Sequence, residues 1–183
     1  EEIFSTKKCD ENSGYDFGGG RMVPLIENNK EYVLITTSDY SGNNAQDLDS
    51  QYGKILQISL DKYEYQIFSL GHRNPQGLIN INNKILSTEH GPMGGDEINL
   101  IKKNSNYGWK IASYGEPYKN FSNENEYKLL KSHKKNNFEE PIYAYTPSIG
   151  ISEIINVNKN FINKWENNFL ITSLNGRGIY RAV

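Results

Sequence analysis

Three times along the chain, an apolar run meets an asparagine-rich turn and a second apolar run follows, closing on small hydroxyl residues. The segments are MVPLIENNKEYVLITTS from Met22, LININNKILSTEH from Leu78, and EIINVNKNFINKWENNFLITSLNG from Glu153, the last with a longer connection. Asparagine tolerates the left-handed backbone that a tight hairpin turn requires, so each segment reads as a β-hairpin. Leu34, Leu86 and Leu170 occupy equivalent places in the three units, and a Gly-bearing loop follows each one. GKILQISL, EYQIFSL, DEINLI, PIYAY and GIYRAV, rich in β-branched and aromatic residues, supply further strands. No window of helical periodicity competes with them.

Hairpins repeated at blade-like separation predict an all-β fold, a partial β-propeller, in preference to a β-sandwich. The uneven spacing predicts one domain over 1–183, carrying a polar insertion over 119–138 with room for a short helix. The first twenty residues are polar and then Gly-rich, which is loop composition.

Composition narrows the function. The 183 residues carry a net charge of -2, 36% hydrophobic and 12% aromatic residues, enough for a real core. Near-neutral charge with scattered bases argues against a nucleic-acid partner, and the run from Lys131 to Lys135, with His133 inside it, reads as solvated loop. No apolar run is long enough for a helical membrane span. Cys9 stands alone, so no intrachain disulfide forms. The chain starts Glu1-Glu2 rather than with Met, which reads as a processed product or an internal fragment.

Unusual chemistry concentrates between Gly71 and Trp109. Gly91-Pro92 can turn successive carbonyl oxygens toward one point, as a hard cation such as Ca²⁺ requires, although taken alone the pair reads far more readily as a plain turn. Asp96 and Glu97 open a strand on opposite faces, so one ion cannot take both side chains. Glu97 is then a ligand candidate and Asp96 a cap or ion-pair partner, with solvent-facing acids as the alternative. Arg73-Asn74-Pro75-Gln76 offers a guanidinium fork and two amides, suited to an anionic ligand or to an internal ion pair. Tyr107, Trp109, Tyr114 and Tyr118 could stack on a flat ligand or simply fill the core. Arg177, in Leu-Asn-Gly-Arg-Gly, is a second candidate for anion binding, or a surface Arg beside a turn.

Taken together, GHRNPQGL, STEHGPMGGDEINLI and NYGW, with AQDLDSQYGKILQI upstream and TPSIG and NNFLITSLNGRGIYR downstream, closely resemble the glucose/sorbosone dehydrogenase family. More narrowly, they resemble its soluble aldose sugar dehydrogenases that use pyrroloquinoline quinone (PQQ). The likeness spans nearly the whole chain. It implies roughly three to four blades of a longer six-bladed propeller, periplasmic or secreted. PQQ and Ca²⁺ are the implied cofactors, a sugar the substrate, and an electron acceptor the redox partner. By that resemblance Arg73, Asn74, Tyr118 and Arg177 reach PQQ. Gly91 and Pro92 hold its Ca²⁺, and Glu97 and Tyr107 bind a separate structural Ca²⁺. The implied activity is oxidation of an aldose to its lactone. The family's catalytic His aligns with Phe17, or with Asp16 after a one-residue shift, and phenylalanine cannot accept a proton. Asp16 is therefore the replacement base that the sequence offers. A non-catalytic ligand-binding propeller is the alternative implication, and the TPSIG segment also lacks the Lys that some members place there.

Overall fold

The structure, a computed structural model, describes residues 2–6, 18–39, 43–118 and 128–183. Twelve strands form three antiparallel-based sheets and, among the described residues, the helical content is two 3-10 turns, Lys134–Asn136 and Asn163–Trp165. Sheet one contains β1 (Met22–Glu27), β2 (Lys30–Thr37), β3 (Lys54–Ser59) and β4 (Tyr65–Leu70) in sequential order. Sheet two contains β5 (Pro75–Ile81), β6 (Lys84–Glu89), β7 (Asp96–Ile101) and β9 (Tyr143–Tyr145). Sheet three contains β10 (Ile151–Asn156), β11 (Phe169–Ser173) and β12 (Gly178–Ala182).

Each sheet is a meander whose first hairpin is one of the three sequence repeats. The two short turns have the backbone their residues suggested: Asn28 and Asn29, and Asn82 and Asn83, all have positive φ between 50° and 63°. Such a pair of left-handed residues matches the twist of the flanking strands and fixes the register Glu27↔Lys30 and Ile81↔Lys84. Every strand predicted from the apolar pattern is present.

Between successive sheets lie separate apolar layers. Leu25, Leu34, Ile55 and Phe68 from sheet one meet Leu78, Ile85 and Ile101 from sheet two, closed by Tyr107. Ile98 of sheet two meets Ile151, Ile154 and Ile171 of sheet three. The first strands β1, β5 and β10 lie side by side, β5 in the middle. At Gly77, where β5 slips register against β6, any Cβ would collide with Thr88 Oγ1 and the backbone of β10. Glycine there lets the two sheets approach. This is the partial β-propeller that the repeats imply, seen as three blades.

One connection was not legible in the pattern. After β7 the chain crosses to sheet one, adds β8 (Ser105–Asn106) parallel to the end of β4, and only later returns as β9. The crossing sets Tyr107 and Trp109 against the β4–β5 connection, with Tyr107 N–H donating to Leu70 O at 2.9 Å and Trp109 N–H to Gly71 O at 3.0 Å. Within the expected insertion, residues 119–127 lie outside the described residues, and the helical piece beyond them is the single turn Lys134–Asn136. Among the described residues, no helix is long and apolar enough to cross a membrane.

Leu34 is fully buried in the first interlayer core, where truncation leaves a cavity that rigid sheets fill poorly. Leu34→Ala should lower stability by ~2–5 kcal/mol, read as a shift of the urea midpoint with unchanged slope.

Candidate functional site

Because each sheet meanders, the connections after its second strand emerge at one end and the tight first turns at the other. Residues 38–39 and 43–53, 90–95 and 174–177 therefore occupy equivalent loops at one end, joined there by the intersheet connections 71–74 and 146–150. A pocket opens at this end between sheets one and two. Arg73, Glu89, Gly91, Glu97, Tyr107 and His133 all contribute to its wall.

Arg73 is held on three sides. Its N–H donates to the Glu89 carboxylate, its Nη1 donates to His90 O at 3.1 Å, and its guanidinium lies 5.3 Å from the centroid of the Trp109 ring. The indole is fixed in turn, its Nε1–H donating to Asp39 Oδ2 at 3.0 Å, while Asp39 Oδ1 accepts the Asn44 N–H at 2.9 Å. Stacking on an aromatic face suits guanidinium better than ammonium. Asn74, next in the chain and buried, accepts through Oδ1 from Ser38 Oγ and Gln76 Nε2, both at 2.7 Å, which turns its NH₂ the other way.

Beneath Arg73 runs a buried chain from Ser69 through His72 to Glu89. His72 Nε2 lies 2.8 Å from Ser69 Oγ, its Nδ1 lies 3.0 Å from Glu89 Oε2, and its ring stacks on Tyr107 at 4.7 Å. All three residues of the chain are buried, so it is a brace rather than a nucleophilic triad.

Glu97 is different. Its carboxylate has only the Asn99 amide at 3.3 Å and His133 Nε2 at 3.6 Å as polar neighbours in the described residues. Burial, and then the charge of Glu89, push its pKa well above the usual carboxylate range. Burial also holds His133 below its ordinary value, so the imidazole supplies no full positive charge. Asn99 Oδ1 and His133 Nδ1 are themselves buried without hydrogen-bond partners among the described residues. Expected in solvent, His133 instead sits in the wall of the pocket, because the turn after residue 128 folds back under Gly108 and Tyr114. Nothing in its lysine-flanked sequence signals that burial.

Gly91 and Pro92 present main-chain carbonyls that accept no hydrogen bond from the described residues, while Gly91 N–H is tied to Asp96 Oδ1 at 3.0 Å. The Tyr107 hydroxyl donates to Leu100 O at 2.7 Å and accepts from Lys102 N–H at 2.9 Å, so it is already engaged within the fold. Asp96 is fully buried rather than solvent-facing. Tyr118 is 44% exposed, Arg177 is exposed in the β11–β12 turn, and neither lines this pocket. Asp16 and Phe17 lie outside the described residues.

Sequence reasoning missed Asp39, Glu89 and Lys54. Lys54 is fully buried at the start of β3, its Nζ donating to the carbonyls of Asn44 and Tyr52, each at 2.7 Å, and of Ala45 at 3.1 Å. Burial draws its pKa down to about 8. A lysine opening an otherwise apolar strand, GKILQI, was the available signal.

The propeller sheets bring a stacked arginine, open carbonyls and an uncompensated carboxylate together at one end. The chain belongs to the glucose/sorbosone dehydrogenase family, whose profile matches residues 1–183. It is similar to aldose sugar dehydrogenase YliI of Escherichia coli, 29% identical over 91% of this chain and 47% of that protein. It is also similar to quinoprotein glucose dehydrogenase B of Acinetobacter calcoaceticus, 42% identical over 58% of this chain and 25% of that one. The apo-form crystal structure of the soluble E. coli aldose sugar dehydrogenase superposes with a TM-score of 0.80 at 28% identity, covering 98% of this chain and 54% of the other. The chain thus spans about half the length of these relatives or less.

The raised pKa of Glu97 has a measurable consequence without any ligand. The folded protein keeps that proton to higher pH than the unfolded chain, so stability falls as pH rises from about 4.5 through the raised value. In chelator-treated protein, Glu97→Gln should flatten this decline; urea midpoints measured across the pH range check it.

Proposed function

We propose that this chain forms part of the cofactor-bearing end of a PQQ- and Ca²⁺-dependent dehydrogenase that oxidises the anomeric hydroxyl of an aldose to its lactone. The observation that carries this reading is Arg73, laid on Trp109 and opening on the same pocket as Gly91 and Glu97. The printed names of the two relatives, a quinoprotein and an aldose sugar dehydrogenase, support it.

The residues fit the groups. PQQ is a flat tricarboxylate, so Arg73 would pair one carboxylate while the Asn74 NH₂ donates beside it. Tyr118 and Arg177 would form the outer wall from their loops at the same end. The Gly91 and Pro92 carbonyls, open in this structure, offer the neutral oxygens that Ca²⁺ takes. Glu97 and the main-chain oxygen of Tyr107 would hold a second Ca²⁺, and the buried carboxylate that lacks a counter-charge calls for one. When bound, PQQ accepts the hydride from the sugar and its Ca²⁺ polarises it.

The chain's own task is to bind, orient and take the hydroxyl proton. Phe17 stands where the family places its catalytic His, so that task falls to Asp16. A binding-only propeller is the second reading, favoured by Phe17 alone. Either reading goes with a periplasmic or secreted setting and, for turnover, a separate electron acceptor.

Full-length protein loaded with PQQ and Ca²⁺ and offered several aldoses should reduce a dye. Quinone binding without turnover selects the binding-only reading, and no quinone binding ends both. Arg73→Ala should weaken PQQ binding by roughly 10–100-fold, the worth of a charge-assisted hydrogen bond, by fluorescence titration. Ca²⁺ added to the metal-free protein should raise its melting temperature, and Glu97→Gln should remove much of that gain.

A further inference from the structure

We infer that Asp96 is the positioning residue that sets the Gly91–Pro92 loop and the Arg177 loop in register with one another across two blades. The inference rests on the cofactor reading above, because those are the loops that reading assigns to Ca²⁺ and to PQQ.

Asp96 is fully buried at the first position of β7 and spends both carboxylate oxygens on backbone donors. Oδ1 accepts the Gly91 N–H at 3.0 Å within its own sheet. Oδ2 accepts the N–H groups of Ile149 at 3.0 Å and Ile151 at 2.9 Å, at the start of the next sheet. The Ile149–Ile151 turn then carries the β11–β12 loop. Ile149 O accepts from the N–H groups of Asn175 and Gly176, both at 2.9 Å, and Gly150 O accepts from Leu174 N–H at 2.9 Å. Arg177 follows directly, in a left-handed conformation with φ 50°. A continuous set of hydrogen bonds thus joins Gly91 to the residue before Arg177, with one side chain at its centre.

The far side of the Gly91–Pro92 loop is closed as well. Met93 and Glu116 exchange backbone hydrogen bonds at 2.9 Å, and Gly95 N–H donates to Tyr145 O at 2.8 Å. His90 is tied toward sheet one by Arg73 Nη1 and Asn74 O, and among the described residues Asp96 is the tether of this loop that reaches the third blade. Asparagine cannot replace it. Three N–H donors share two acceptor oxygens, and an amide has only one, so its NH₂ must face a backbone donor whichever way it turns.

In the full-length protein, Asp96→Asn should raise the Ca²⁺ concentration for half-maximal PQQ binding by roughly 10–100-fold, the usual cost of losing a residue that orients metal ligands. The KM for sugar, measured at saturating cofactor, should stay unchanged. Arg177→Ala should weaken PQQ binding less in the Asp96→Asn background than in the wild type, since the loop is already released. A purely structural role would lower the melting temperature without that coupling. Wild-type Ca²⁺ and PQQ affinities in a folded Asp96→Asn protein would overturn the inference. Should that variant fail to fold, hydrogen exchange of the ligand-free wild type decides instead: the Gly91, Ile149 and Ile151 amides should open as one unit. Independent opening overturns the proposal. If the wild type ignores PQQ while these amides open together, the cofactor reading fails and the tether stands.

Discussion

A carboxylate taken out of water must be met by donors or by a cation, and the loop end of these sheets is built on four of them. Asp39 is met by an indole and a backbone N–H, Glu89 by His72 and the Arg73 N–H, and Asp96 by three backbone N–H groups. In each case at least one donor comes from a different loop than the acid, so satisfying the charge fixes one loop against another. Charge-assisted bonds of this kind are worth about 1.5–3 kcal/mol each, more than the neutral turns around them. Glu97 is the exception, with one amide and a neutral imidazole for company. The contrast between three satisfied acids and one that is not is what sets Glu97 apart in the pocket wall.

Lys54 applies the same rule with the sign reversed. Its ammonium gathers three carbonyls of the long β2–β3 loop, much as a metal ion would, and so shapes the segment that includes Gln46. Gln46 exchanges hydrogen bonds with Asn106 and reaches Trp109 O at 2.5 Å. The indole under Arg73 is thereby held from the Asp39 side and from the Lys54 side. Few residues touch the pocket directly, yet their placement draws on charges buried well behind it.

What the sequence disclosed follows from the range of the forces involved. Hairpins were legible because apolar alternation and paired asparagines act over a few residues, and Asn28-Asn29 and Asn82-Asn83 adopt the backbone their chemistry favours. Arg73, Gly91, Glu97 and Tyr107 were legible as motif residues, and they meet in one pocket. The crossing of β8 to sheet one was not legible, since two residues of parallel pairing carry no periodic signal. His133 was misread because a histidine among lysines looks solvated, and only the fold of the 128–140 segment against Gly108 buries it. Asp39 and Asp96 look like loop acids until their distant N–H partners are in place.

The paired-asparagine turns lie at the end of the sheets away from the pocket, and each is pinned by its own hairpin register rather than by the buried acids. Cargo attached there would meet solvent instead of ligand. A tether to an electrode or a bead, grafted at Asn28-Asn29 or Asn82-Asn83, would leave the pocket mouth facing outward and spare every loop that lines it.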